Sequence, residues 1–234
     1  MVVPSSSPPF QAPHDGPWVE GWLGPPRFVR YLAAAGNDRA LALALYEWNA
    51  QISAAFQRDL AHLEIALRNA YDAAATSWGG TGHWLRDGYT VVFAPLYRTY
   101  GGHHVDVNQK NREQVAQAIR DAGGPLAPSG KVVAQLSFGF WRYLSDRAHE
   151  RPLWIPFLYR AFVHGTSRAA IDRRIAGLHV FRNRIAHHEP LLRTDLGGRW
   201  SDILAVAGAT SPDLANYLDS STTTMLLLAH RPVT

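Results

Sequence analysis

Two arginines, an asparagine and two histidines lie close together in RNRIAHH, the segment from Arg182 to His188. These side-chain types could cut RNA by acid–base chemistry. Histidine can take a proton from a 2′-hydroxyl and give one to the leaving 5′-oxygen, because its unperturbed pKa lies near neutrality. Arginine can bind the phosphate through its planar fork as negative charge develops. Arg182 and His187 supply these two types, and Asn183 can orient either one by hydrogen bonding.

The element that must position them is an amphipathic helix predicted over about 167–188. Its apolar stripe is formed by Ile171, Ile175, Leu178 and Ile185, and Arg182 occupies the next position in that stripe. An arginine on an apolar face is costly unless it is paired or the face is an interface. A snorkelling or salt-bridged arginine is the alternative interpretation.

The spacing of the motif also limits how it can act. Five residues of an ideal helix turn through about 140°, so Arg182 and His187 start on different faces. They can meet on one phosphate if the helix ends near His187, or if two chains pair their helices. Pro190 predicts that the helix ends at about Glu189.

A second polar pair interrupts an apolar stripe in the segment from Gln57 to Tyr71, QRDLAHLEIALRNAY. Glu64 falls inside the stripe and Arg68 lies at its edge. A buried glutamate needs a cation, which predicts that Glu64 lies within salt-bridge distance of Arg68 or Arg182. The alternative is an ordinary surface pair between residues four apart on one helix.

The remaining pattern predicts an all-α protein. Residues 1–25 are rich in Pro and Ser and predict a flexible arm, and residues 26–234 predict a single helical domain. Asp38 is a predicted N-cap of a long segment that reaches about residue 75, either as one helix or as two with a break near 51–53. Residues 78–107 predict a loop with one short helix. Further helices are predicted at about 27–35, 108–122, 130–145, 153–163, 202–207 and 213–229.

The composition of the chain excludes some classes of protein and some kinds of functional site. The chain has 234 residues, no Cys and a net charge of +4, which excludes disulfides and suits a polyanionic partner. It has no apolar run long enough to span a bilayer and no secretory pattern at its N-terminus, so a soluble cytoplasmic protein without membrane contact is expected. The GGHHVD segment that begins at Gly101 predicts a solvated loop, and neither a metal site nor a cofactor is expected.

Three segments together resemble a known family. RNRIAHH, preceded by LEIALRN from Leu63 and by LSFGFWRYL from Leu136, is similar to the Abi-like (abortive infection) family within the HEPN superfamily of helical ribonucleases. The resemblance extends from about Arg27 to Leu228.

The resemblance implies a HEPN-like helical bundle with additional helices, which dimerises so that two motifs form a composite site. It implies metal-independent endoribonuclease activity on RNA, used in phage defence, with an antitoxin or regulatory partner possible. By motif match, Arg182, Asn183 and His187 are the expected catalytic residues. The expected supporting residues are His188, Glu64, Arg68 and Asn69. A catalytically inactive module that binds RNA or protein is the alternative function. A structural dimer with a buried Arg182–Glu64 pair between chains is a third.

Overall fold

The computed structural model describes residues 9–78 and 82–233. It is 67% helical with one two-stranded sheet, which confirms a predominantly all-α fold. The α-helices and strands, in chain order, are α1 Trp18–Leu23, α2 Pro25–Ala34, α3 Arg39–Trp78, α4 Tyr89–Val92, β1 Tyr97–Tyr100, β2 His103–Asp106, α5 Gln109–Asp121, α6 Ser129–Gln135, α7 Phe138–Tyr143, α8 Arg168–Ala186, α9 Leu196–Thr210, α10 Pro212–Ser221 and α11 Thr224–Ala229.

The central element is α3, a single helix of 40 residues without the break that was considered near 51–53. Its start follows the predicted cap, because the Asp38 carboxylate accepts a hydrogen bond from the Leu41 backbone N–H at 3.1 Å. A helix of this length spans about 60 Å. It contacts α2, α7, α8, α9 and α11, so five of the other helices pack along one rod.

Apolar side chains form two neighbouring cores. The larger core surrounds α3 from Trp48 onward and includes α7, α8 and α9. The smaller core joins α1 and α2 to the first turns of α3 and includes Val19, Phe28 and Tyr31. Leu192, in the segment after α8, packs against both cores and links them.

The predicted arm of residues 1–25 is partly structured. Residues 18–23 form α1, whose Val19 is fully buried against the smaller core. The arm is also tied to α3 by charge, because Arg39 forms salt bridges with Asp15 and Glu20, each at 2.7 Å. Residues 1–8 lie outside the described residues.

The segment expected to be a loop contains a β-hairpin. Strands β1 and β2 pair antiparallel, with Tyr97 opposite Asp106 and Tyr100 opposite His103. Gly101 and Gly102 form the turn with φ angles of 54° and 83°, which glycine adopts without strain. The short helix expected in this region is α4.

Four predicted helices differ from those in the structure. The segment 130–145 splits into α6 and α7 because Leu136 and Ser137 adopt extended backbone angles. The segment 153–163 contains short π- and 3-10 turns instead of an α-helix, at Glu150–Trp154 and Leu158–Ala161. Helix α9 is longer than predicted because the Asp195 carboxylate caps its start. The final segment divides into α10 and α11.

The FGFW segment at the start of α7 has a structural role. Phe138, Phe140 and Trp141 are buried in the larger core. A Cβ atom at Gly139 would lie 3.3 Å from His179 Nε2, so glycine permits the close approach of α7 to α8.

Candidate functional site

The helix that carries the motif ends inside it, at Ala186, three residues before the end at about Glu189 that Pro190 predicted. His187 is the C-cap of α8, and His188 adopts a left-handed conformation with φ 54°. The His188 backbone N–H donates to the Ile185 carbonyl, and the Glu189 N–H donates to the Arg184 carbonyl, both at 2.9 Å. This pair of bonds is a Schellman motif, and it fixes the direction of the chain beyond the helix.

Two long-range hydrogen bonds hold this turn against α2 and α3. Arg27 Nη1 donates to the backbone carbonyl of His188 at 2.9 Å. The buried Asn49 side chain accepts a hydrogen bond from the Leu191 backbone N–H at 2.7 Å. The end of the motif is therefore positioned by residues from two other helices. Neither Arg27 nor Asn49 was identified from the sequence, since neither lies near the motif in the chain.

Arg182 occupies the position in the apolar stripe that the sequence indicated. Its side chain is half-buried, and its Nε is buried without a hydrogen-bond partner among the described residues. A buried guanidinium donor without an acceptor costs free energy, typically about 1–3 kcal/mol. The site therefore holds a cation whose hydrogen-bonding capacity is not used within the described chain.

The prediction that Glu64 lies within salt-bridge distance of Arg68 or Arg182 is wrong. Glu64 is half-buried and forms no salt bridge with Arg68 or Arg182 in the described part of the chain. Burial raises the pKa of Glu64, and the nearby charges of Arg182 and then Arg68 partly oppose that rise. The three groups therefore interact through space without forming a bonded pair. The Nε of Arg68 is likewise buried without a partner.

A cavity of about 660 Å³ lies where Arg182 meets the ends of α1 and α2 and the middle of α3. Its lining includes three basic residues, two tyrosines and a tryptophan: Arg27, Arg182, His188, Tyr31, Tyr46 and Trp22. The basic residues come from two helices and the turn after α8. Such a cavity can accept a phosphate together with an aromatic ring.

The other two expected catalytic residues face different surroundings. His187 is exposed and is absent from the lining of this cavity. The Asn183 amide donates to His179 Nε2 at 3.3 Å. His179 lines a second cavity of about 440 Å³ between α5, α7 and α8. The structure therefore brings Arg182 and His188 to one cavity but does not bring Arg182, Asn183 and His187 together within one chain.

His179 is a candidate functional residue that the sequence interpretation missed. Burial lowers its pKa, and the positive charges of Arg142, Arg182 and Lys110 lower it further. A neutral imidazole that accepts through Nε2 carries its proton on Nδ1. Its spacing in the sequence could have identified it. His179 precedes Arg182 by three residues and Asn183 by four, so it shares their side of α8.

The last expected supporting residue, Asn69, is exposed on α3 beside Arg68.

No group of three or more His, Asp or Glu residues within 9–78 and 82–233 is arranged to hold a metal ion. None of the helices in these same ranges is long and apolar enough to cross a membrane. No protein-family model, curated protein or solved structure matches the chain.

Proposed function

We propose that this chain is a metal-independent endoribonuclease of the HEPN type, similar to the Abi-like family, that acts in phage defence by abortive infection. The observation that carries the proposal is Arg182, whose partly buried guanidinium has an unused donor and lines a basic cavity at the helix end that bears His187 and His188. A cation in this state suits a transient anionic partner such as a phosphate.

In the proposed reaction the 2′-oxygen of a ribose attacks the adjacent phosphorus while a base removes its proton. Arg182 stabilises the charge that develops on the phosphate oxygens. The bond from phosphorus to the 5′-oxygen breaks, and an acid protonates that oxygen. His187 supplies one of the two proton transfers. The products are a 2′,3′-cyclic phosphate and a 5′-hydroxyl end.

A homodimer is part of the proposal because Arg182 and His187 diverge on α8. When the ends of two α8 helices face each other, His187 of one protomer can approach the phosphate held by Arg182 of the other. Glu64, Arg68, Asn69 and His188 then support the site. The net charge of +4 favours binding of RNA. The proposed setting is the cytoplasm, with an antitoxin or another regulatory partner controlling the activity.

The second candidate function is a catalytically inactive helical module that binds RNA or protein. It is favoured by one observation: within a chain, Arg182 lines the cavity, Asn183 bonds His179 and His187 faces solvent. A binding module has no need for these side chains to converge. The two functions differ in one measurable property: the nuclease cleaves RNA, as a monomer or as a dimer, and the binding module does not.

The test is cleavage of single-stranded RNA by the purified protein in EDTA, with single-stranded DNA as a parallel substrate. We expect cut RNA with cyclic-phosphate ends and intact DNA. Arg182→Ala and His187→Ala should each lower the rate by roughly 10²- to 10⁴-fold. His164→Ala is the matched control, since His164 is also exposed but lies outside α8. RNA cleavage that survives His187→Ala, or that requires added Mg²⁺, would contradict the proposal.

Light scattering tests the proposed assembly separately. A dimer at micromolar concentration is the expected result. A monomer that still cleaves RNA would exclude the composite site while leaving the reaction itself in place. Growth of a host that expresses either the wild type or His187→Ala then tests the role in defence, since only the active protein should arrest growth.

A further inference from the structure

An exposed array of aromatic rings extends from α1 to the cavity that contains Arg182. Trp18 and Trp22 stack with their ring centroids 5.2 Å apart and their planes 18° apart. Tyr46 meets the edge of Trp22 at 5.1 Å. Trp22 nevertheless remains 49% exposed and Trp18 42%. Most tryptophan surface in a folded protein is covered, so two adjacent exposed rings beside a cavity offer a surface on which another flat ring can stack.

Polar groups around the same cavity also lack partners. Tyr31 lines the cavity and is fully buried, yet its hydroxyl has no hydrogen-bond partner among the described residues. Burial raises the pKa of Tyr31 to about 12, so this hydroxyl stays protonated and can donate. The Nε of Arg182 is in the same unpartnered state. Two residues that line this cavity, one on α2 and one on α8, thus each contain a buried donor without a partner.

Arg27 adds a second cation to this cavity and fixes its geometry. One nitrogen of its guanidinium, Nη1, donates to the His188 carbonyl. A guanidinium has five N–H donors, so this bond leaves others free. Arg27 and Arg182 come from α2 and α8, and both line the cavity that Trp22 and Tyr46 also line. Positive groups and aromatic faces in one groove are the combination with which proteins hold single-stranded nucleic acid.

We infer that this cavity binds one unpaired nucleotide of RNA, with its base stacked on Trp22 beside Tyr46 and its phosphate held by Arg27 and Arg182. The inference rests on the proposed function for its choice of RNA and adds a binding site to it. Bases in a duplex are already stacked on their neighbours and cannot enter such a cavity. The protein should therefore select single strands, or loops and ends, over continuous helices.

The first experiment measures binding without cleavage. The probe is a short fluorescein-labelled single strand of 2′-O-methyl RNA, which lacks the hydroxyl that the proposed reaction uses. Trp22→Ala should weaken binding by about tenfold or more, the usual effect of removing a base-stacking ring. Trp22→Phe should retain most of the affinity because it keeps a flat ring. Trp78→Ala is the matched control, because Trp78 is 48% exposed but stacks on Phe157, away from this cavity.

The second experiment separates phosphate binding from stacking. Arg27→Gln should weaken binding and reduce the slope of log K against log salt by about one, as expected for the loss of one phosphate contact. Arg27→Lys should keep the slope because it keeps the charge. Arg120→Gln is the control for net charge: Arg120 is exposed on α5, none of whose residues lines the cavity. It should leave both affinity and slope nearly unchanged.

Several outcomes would overturn the inference. Equal affinity for the single strand and for the corresponding 2′-O-methyl duplex would exclude stacking in the cavity. Unchanged affinity in both Trp22→Ala and Arg27→Gln would place any RNA elsewhere.

Two further outcomes separate the binding site from the proposed reaction. A protein that binds the probe through Trp22 but never cleaves RNA would refute the proposed reaction and leave the binding site. If the Trp22→Ala variant cleaves RNA and binds the probe as well as the wild type does, the binding site would be refuted and the proposed reaction would stand.

Discussion

Replacement of Arg182 by methionine should stabilise the protein while lowering the rate of the proposed RNA cleavage by the same roughly 10²- to 10⁴-fold as Arg182→Ala. Methionine has a similar length and is apolar, so it suits the stripe formed by Leu178 and Ile185. The arginine is the exception in that stripe, half-buried with an unpartnered Nε. A residue retained for chemistry at such a position lowers stability, whereas a residue retained for structure raises it.

The size of the effect follows from two opposing contributions. Removal of a buried donor without a partner should recover part of the roughly 1–3 kcal/mol that such a group costs. Loss of the attraction between Arg182 and Glu64 should cost less than about 1 kcal/mol, because the two groups are not in contact and both are partly exposed. The net stabilisation should be about 1 kcal/mol, equivalent to about 2–4 °C in Tm for a chain of this size.

The stability gained in the Arg182→Met variant should also depend on pH. Because the pKa of Glu64 is raised in the folded state, the protein loses stability as pH rises from the ordinary carboxyl range through the folded-state value. Arg182→Met removes a positive charge that opposes this rise, so the loss should be larger in the variant. The advantage of the variant over the wild type should therefore be greater at acidic pH than at neutral pH.

Urea unfolding followed by far-UV circular dichroism measures this prediction, with RNA cleavage assayed on the same samples. Arg173→Met is the matched control, because Arg173 is exposed on the opposite face of α8, and it should change the free energy of unfolding by less than about 0.5 kcal/mol. A loss of more than about 1 kcal/mol in Arg182→Met would refute the reasoning. It would mean that Arg182 is a paired structural residue, as in a buried pair between two chains.

Two further substitutions test Glu64 and the contact of α3 with the C-terminal segment. Glu64→Gln should leave the free energy of unfolding at neutral pH within about 1 kcal/mol of the wild type, because no direct ion pair is lost. It should also flatten the decline in stability with rising pH, which urea titrations at several pH values would show. Asp59→Ala should destabilise by about 3–5 kcal/mol, since the buried carboxylate of Asp59 accepts hydrogen bonds from Thr222 at 2.6 Å and Thr224 at 3.1 Å. The exposed Asp219→Ala is its control, and equal midpoints for the two variants would contradict this assignment.

Local signals in the sequence predicted the long elements of the fold. The predicted Asp38 cap begins α3, the apolar stripe marked α8, and Pro190 follows the end of α8. The hairpin at Gly101–Gly102 was missed because its described residues face mostly solvent, so no alternation of apolar and polar residues marked it. The break at Leu136–Ser137 carries no local signal either. It accompanies the close packing of Gly139 against His179, which is a tertiary contact.

The candidate site was predictable only where it depends on helical periodicity. The interrupted stripe identified Arg182, and the structure gives it a half-buried, unpartnered side chain. The expected Glu64 ion pair failed because periodicity places two residues on facing helices without fixing the distance between their charged ends. Arg27 and Tyr31 were missed because they reach the cavity only through the packing of α2 against α3, and nothing in their local sequence distinguishes them.

The contacts of α3 also determine when the site can form during synthesis. Part of its apolar surface is covered by α9 and α11, which leave the ribosome after α2, α7 and α8. The Trp48 indole donates to the Leu227 carbonyl at 2.8 Å, so even the first half of α3 is completed by the C-terminal segment. A nascent chain that has emerged only through α8 already displays Arg182 and His187 but lacks two of the helices that contact α3. In the proposed nuclease, the site would therefore stay incomplete beside the ribosome and its messenger RNA until α9 and α11 have left the ribosome.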